Sequence, residues 1–158
     1  MKMRVLIFAA ASLLPFSAAQ AQAPMDLAMV TGVCQAASAV TDGAGTKPYI
    51  CDNAILAFFD NANSHVMIQF TKKNDENVPL FAFAGTMAQD GVTLNVERIS
   101  LVPGKPQPAQ QASCNLSFAP PPAGSDRPSI SGIECKGEVV QDAQKTTLSI
   151  LFKPDPGQ

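Results

Sequence analysis

The sequence predicts an all-β chain: a single antiparallel β-sandwich or small β-barrel of about seven to eight strands, held by two disulfides. Three observations carry this. Apolar runs of strand length follow one another from Ala54 to Lys153. Short segments rich in Asn, Asp, Gly and Pro separate them. Four cysteines sit in a chain whose first residues read as an export leader, and an even count in an exported chain reads as disulfides.

The leader comes first. Lys2 and Arg4 give a positive start, Val5 to Phe16 are almost all apolar, and Ala19-Gln20-Ala21 offers small residues where a signal peptidase reads. The apolar run is shorter than the roughly 20 residues a membrane helix needs. A second Ala-x-Ala frame ends at Ala23, but Pro24 would follow that cut. Residues 1–21 are therefore assigned as a signal peptide cleaved after Ala21, and no later run is long enough to span a membrane as a helix. Removing 21 of the 158 residues leaves 137, enough for one domain, placed at 22–153 with a disordered tail at 154–158. The mature chain is exported, to a periplasm or to the medium.

Residues 24–53 read two ways. Leu27, Val30, Cys34 and Ala37 have helical spacing, and the balance tips toward a short N-terminal helix. Gly32 interrupts that helix, and Leu27, Met29, Thr31 and Val33 also fit a strand. "TDGAGTKP" is a loop on either reading. Clear strands begin at Ala54–Phe59 and continue at His65–Lys72, where Val66, Ile68 and Phe70 alternate with Met67, Gln69 and Thr71. Leu80–Met87 is apolar on both faces, as a central strand would be. "AQDG" turns it onto Val92–Val102, with Met87 facing Val92 and Phe83 facing Val96 when apolar faces are matched. Val92, Leu94 and Val96 share one parity and Ile99 and Leu101 the other, so Glu97-Arg98 marks either a bulge or a crossing from one sheet to another. "PGKPQPAQQ" reads as a proline-rich loop, followed by strands at Ala112–Phe118, Ile130–Val140 and Thr146–Lys153.

Parity also places the cysteines. Cys114 shares a face with Ala112, Leu116 and Phe118, and Cys135 with Ile133 and Val139. Aligned antiparallel with Cys114 opposite Cys135, Leu116 falls opposite Ile133 and Ala112 opposite Gly137. Directly opposed residues at a non-hydrogen-bonded position lie within disulfide range. Cys114 is therefore expected to pair with Cys135 as a staple inside the fold, and Cys34 with Cys51 by elimination and proximity.

Little in the sequence carries chemistry. Loss of Lys2 and Arg4 takes the net charge from −2 to −4, and no basic cluster remains, so nucleic acid is not an expected partner. His65 is the only histidine, and it supports neither a His-rich metal site nor, without a nucleophile and an orienting acid, a catalytic triad. "DNANSH" resembles a calcium loop only faintly, because Ala62 stands where a ligand is needed. No C-x-x-C, Gly-x-Ser-x-Gly or Ser-x-x-Lys occurs. With no Trp and the single Tyr49, sugar-stacking platforms are not favoured. Catalytic residues, metal and cofactor are all expected to be none. The expected function is a small exported, non-enzymatic binding or inhibitor-type module whose partner is a protein or small molecule outside the cytoplasm. The alternatives are a carrier barrel for a small apolar ligand, lined by Met67, Phe81, Phe83 and Met87, and an enzyme whose site the sequence does not show.

Overall fold

The computed structural model describes residues 24, 26–60, 64–75, 78–121, 124, 126 and 128–156. The signal peptide assigned to residues 1–21 lies outside them. Ten strands make up the described chain: β1 (Asp26–Cys34), β2 (Ala39–Asp42), β3 (Gly45–Pro48), β4 (Asn53–Phe58), β5 (His65–Thr71), β6 (Phe81–Met87), β7 (Thr93–Ser100), β8 (Pro106–Ala119), β9 (Ser129–Gln141) and β10 (Gln144–Pro154). All pairings are antiparallel. The order β1-β4-β5-β6-β7-β8-β9-β10 closes on itself through a β1–β10 pairing, and the β2–β3 hairpin extends the sheet from β10. Of the two architectures the sequence allows, the chain therefore takes the closed barrel.

Closure explains the first difference from the sequence reading. The N-terminal element favoured as a helix is strand β1. Its Val30 and Gly32 are buried, while Leu27, Met29 and Val33 on the other parity are exposed. β4 supplies a ladder along Asp26–Thr31 and β10 a second one along Gly32–Cys34, and these tertiary ladders outweigh a weak helical spacing. Gly32 is what lets β10 come close. A Cβ there would meet the Lys153 carbonyl oxygen and lie 2.7 Å from Pro154 Cα. β10 runs through Pro154, so the tail boundary drawn at 153 falls one residue short of the strand.

"TDGAGTKP", read as a loop, holds most of the β2–β3 hairpin instead. The Asp42 carboxylate accepts the Ala44 N–H at 2.8 Å, and Gly45 takes φ 115°, so the tight turn is built from residues that also signal loops. Between β1 and β2 the chain stays attached to β10 through Ser38. Its buried hydroxyl donates to the Leu151 carbonyl at 3.1 Å and accepts the Leu151 N–H at 3.0 Å, replacing a ladder pair with a side chain.

The β6–β7 hairpin turns at the expected residues but in another register. Met87 faces Leu94 and Phe83 faces Ile99, not Val92 and Val96. The Asp90 carboxylate collects the N–H groups of Val92 and Thr93, both at 2.9 Å, and so keeps Val92 in the loop. Of the bulge and the sheet crossing that parity allowed at Glu97-Arg98, the chain has the bulge. Gly85 faces Val96 and Ala84 faces Arg98, leaving Glu97 as the extra residue. The bulge reverses parity, so Leu94, Val96 and Ile99 are all buried in one core.

"PGKPQPAQQ" is not all loop, because β8 starts at Pro106. Pro106 and Pro108 pair with β7, while the β9 ladder begins only at Ala109. A missing N–H is tolerated where one flank of a strand lacks a partner.

The interior is packed. Leu56, Ile68, Phe70, Phe83, Leu148 and Ile150 are essentially inaccessible. Phe70 sits edge-on to Phe83, with ring centroids 6.1 Å apart, and tilted against Phe152 at 6.0 Å. Burying a side chain of this size contributes about 1.5–3 kcal/mol. No helix among the described residues is long and apolar enough to cross a membrane.

Candidate binding surface

The four cysteines form the two expected bridges. Cys114–Cys135 joins β8 to β9 with Cα atoms 4.0 Å apart, both residues inaccessible, and Leu116 opposite Ile133 as parity required. Gly137 faces a bulge at Gln111-Ala112, not Ala112 alone, because Gln110 faces Glu138 and Ser113 faces Lys136. Cys34–Cys51 ties the end of β1 to the residue two before β4, with Cα atoms 5.0 Å apart. Bridges of this kind persist in oxidising compartments.

His65 opens β5 and is exposed, but it does not stand alone. Asp60 Oδ2 lies 2.6 Å from its Nδ1 and accepts the Ser64 hydroxyl at 2.5 Å, while Asp60 Oδ1 accepts the Ser64 N–H at 2.8 Å. The Ser64 hydroxyl, followed by the His65 ring, holds the Asp60 carboxyl well below the usual carboxylate range. His65 therefore has the orienting acid that the sequence did not reveal. The Ser64 hydroxyl meets the ring at Nδ1, on the same side as Asp60, so both contacts orient the imidazole through one nitrogen.

The β7 bulge brings Glu97 and Arg98 beside this pair. Arg98 faces Ala84 and His65 faces Thr86, whose hydroxyl donates to Glu97 Oε1 at 2.9 Å. Asp60, His65, Gly85, Glu97 and Arg98 help line an open cleft of about 990 Å³. The described residues contain no group of three or more His, Cys, Asp or Glu placed to hold a metal ion. Asp60, His65, Glu97 and Arg98 make this a polar, charged cleft.

The four residues proposed to line a carrier cavity do not meet in one. Phe83 is wholly buried in the packed interior, and Met67 shares the outer parity of β5 with His65. Phe81 and Met87 belong to two different hollows. The first, of about 380 Å³, lies beneath the β2–β3 hairpin between Val40, Ile50, Val78, Phe81 and Leu101. Tyr49 forms part of its wall. The Tyr49 hydroxyl reaches the carbonyl oxygens of Phe70 at 3.0 Å and Pro79 at 2.9 Å, its ring packs on Phe81 at 4.8 Å, and burial pushes its phenol pKa up. The second hollow, about 330 Å³, lies among Leu56, Phe58, Met87, Leu116, Phe118 and Ile130.

Exposed apolar chains collect on β1. Leu27 is 60 % exposed, Met29 68 % and Val33 51 %. Their alternation was visible in the sequence, but nothing there showed which parity faces water. Comparison with known protein families, curated proteins and solved structures finds no match, so the surface is read from its own chemistry.

Proposed function

We propose that the protein is an exported, non-enzymatic binding module that recognises a protein partner on the outside of its barrel. The observation that carries this reading is an inversion. The interior is filled by its own side chains, whereas Leu27, Met29 and Val33 stand mostly in water along one strand. A closed, doubly bridged barrel loses little conformational entropy on binding, which suits a preorganised recognition surface. Export is supported by the leader-like residues 1–21 and by the two disulfides. Whether the destination is a periplasm or the medium does not alter the reading.

The test is retention. Immobilised mature protein is exposed to envelope extract and culture medium, beside a Leu27→Asn, Met29→Asn, Val33→Asn variant. A protein retained by the first and lost from the second is expected. Equal retention by both would move the binding site away from β1. A second reading, the apolar-ligand carrier, draws on the hollow beneath the β2–β3 hairpin. Native mass spectrometry showing a co-purified lipid-sized mass, displaced by Leu101→Lys, would replace the first reading with this one.

A further inference from the structure

β10 ends at Pro154, where it faces Gly32 of β1. The Asp155 N–H still reaches the Thr31 carbonyl at 2.9 Å. Beyond that, Asp26–Val30 of β1 has β4 on one flank and no paired strand on the other among the described residues. On the opposite lip β9 pairs with β10 only from Ile133 onward, so Ser129–Gly132 has no β10 partner among the described residues. The barrel wall therefore has a notch in line with β10.

Main-chain direction shows what the notch offers. The Gly32 N–H donates to the Asp52 carbonyl toward β4, while the Thr31 carbonyl points toward β10. Alternation then turns the N–H and C=O groups of Leu27 and Met29 toward the open flank. The Leu27 N–H is taken by its own Asp26 carboxylate at 2.8 Å, a small guard on the edge. The Met29 N–H and C=O and the Leu27 C=O remain to pair with another backbone.

The second apolar hollow lies at the same end of the barrel, with Ile130 of the unpaired part of β9 in its lining. Leu56 and Phe58 of β4, which face Ala28 and Asp26 of β1, line it on one side, the β6–β7 turn from Met87 to Gly91 on another, and Leu116, Phe118 and Ile130 of β8 and β9 on a third. Ala28 is the inward residue of β1 at this level, packed against the core and facing Leu56. None of the described lining residues is charged.

We propose that an extended segment of a protein partner adds to β1 as a strand. It runs antiparallel to β1 in line with β10 and inserts one uncharged apolar side chain into that hollow. This rests on the binding-module reading and names the partner's chemistry. A second copy of this chain fits less well, since the inward residues of its β1 at this level, Ala28 and Val30, are small for a hollow of about 330 Å³.

The probes are three blocked decapeptides of alternating Thr and Val. One has a central Leu, one a central Lys, and the third repeats the Leu peptide with alternate backbone nitrogens methylated. They are titrated calorimetrically into the full mature chain. The Leu peptide should bind saturably. The Lys peptide should bind about tenfold more weakly or worse, since a charge would enter an uncharged hollow, and the methylated peptide should not bind.

Met29→Pro removes an N–H that β4 does not use, so the barrel should survive and peptide binding should be lost. Met29→Thr loses the same apolar side chain but keeps that N–H, and should bind at least about tenfold more tightly than Met29→Pro. If the proline variant fails to fold, the methylated peptide carries the same test. No saturation by any peptide up to about 1 mM, or equal binding by the proline and threonine variants, overturns the proposal. A wild-type dimer in sedimentation that Met29→Pro dissociates would overturn it in favour of self-pairing. A natural partner retained equally by wild type and Met29→Pro would leave the binding module standing and remove the added strand.

Discussion

Two parts of this barrel are held together by different means. In the β8–β9–β10 wall, long strands adjacent in sequence pair along most of their length, from Ala109↔Val139 to Ala119↔Ser129 and from Gln144↔Gln141 to Phe152↔Ile133. Its bridge lies inside a ladder that already exists. The β1–β2–β3 region is short and paired with distant residues. It stays in place through six β1–β4 pairs, three β1–β10 pairs, three β2–β10 pairs, the Ser38 hydroxyl, the close approach at Gly32 and a bridge from the end of the β1–β10 ladder to Cys51, outside any strand. The first region is specified by repetition, so losing one contact leaves many. The second rests on shorter ladders and a few single contacts, and it is also where backbone groups and apolar side chains are exposed.

The largest expected effect is on the core that both regions share. Phe83→Ala should cost about 3–5 kcal/mol in urea unfolding, and a loss under about 1 kcal/mol would mean that the interior is not packed as described. The two bridges come next. They span 17 and 21 residues, so on loop length alone each contributes about 3 kcal/mol. Their loss should differ in where it acts. Replacing Cys34 and Cys51 by Ala should speed amide exchange at Gly32–Cys34 and Ala39–Asp42 well before global unfolding. Replacing Cys114 and Cys135 should lower the whole transition without a local opening, and matching exchange patterns for the two variants would erase the distinction.

Gly32→Ala should cost about 1–3 kcal/mol, through the clash with Lys153 and Pro154 across the β1–β10 closure. Exchange should rise on both sides of that seam, and an unchanged seam would show that closure does not depend on Gly32. A smaller effect is expected in acid. The Asp52 carboxyl is held low by the Lys73 N–H and then by Lys72, that of Asp60 by Ser64 and then His65, and that of Asp90 by the Val92 and Thr93 N–H groups. A carboxyl lowered in the folded state stabilises above its unfolded pKa of roughly 4. That contribution is lost as pH falls from there through the folded values. Thermal scans from pH 6 to pH 2 should show a declining transition, and Asp52→Asn should flatten part of the decline. The smallest effect is at His65, where Ala should change stability by no more than about 0.5 kcal/mol and leave partner retention intact. If retention were abolished while stability held, the Asp60–His65 pair would belong to the working surface.

The wall was legible because its signals are local and agree. Cys114, Leu116, Ile133, Cys135 and Val139 share parity in strands close in sequence, so matching apolar faces gave both the register and the bridge. The parity break in β7 was legible for the same reason, since Leu94, Val96 and Ile99 cannot share one face of a regular strand. The β6–β7 register was missed because Asp90 holds Val92 in the loop by hydrogen bonds that apolar matching does not see. The β2–β3 hairpin was missed because Asp42, Gly43 and Gly45 signal loop and hairpin turn alike. The orienting acid for His65 was hidden because a carboxylate five residues away in a turn becomes a partner only through the geometry of that turn.

The sequence alone determined that this is an all-β chain with two bridges, and which parity of most strands is apolar, because alternation and cysteine placement are properties of neighbouring residues. Only the tertiary structure decided that the sheet closes, that residues 26–34 form its closing strand, and that β10 stops short beside an open edge. Those outcomes depend on which distant backbone arrives to pair, and a weak local preference yields to two ladders that the local sequence does not contain.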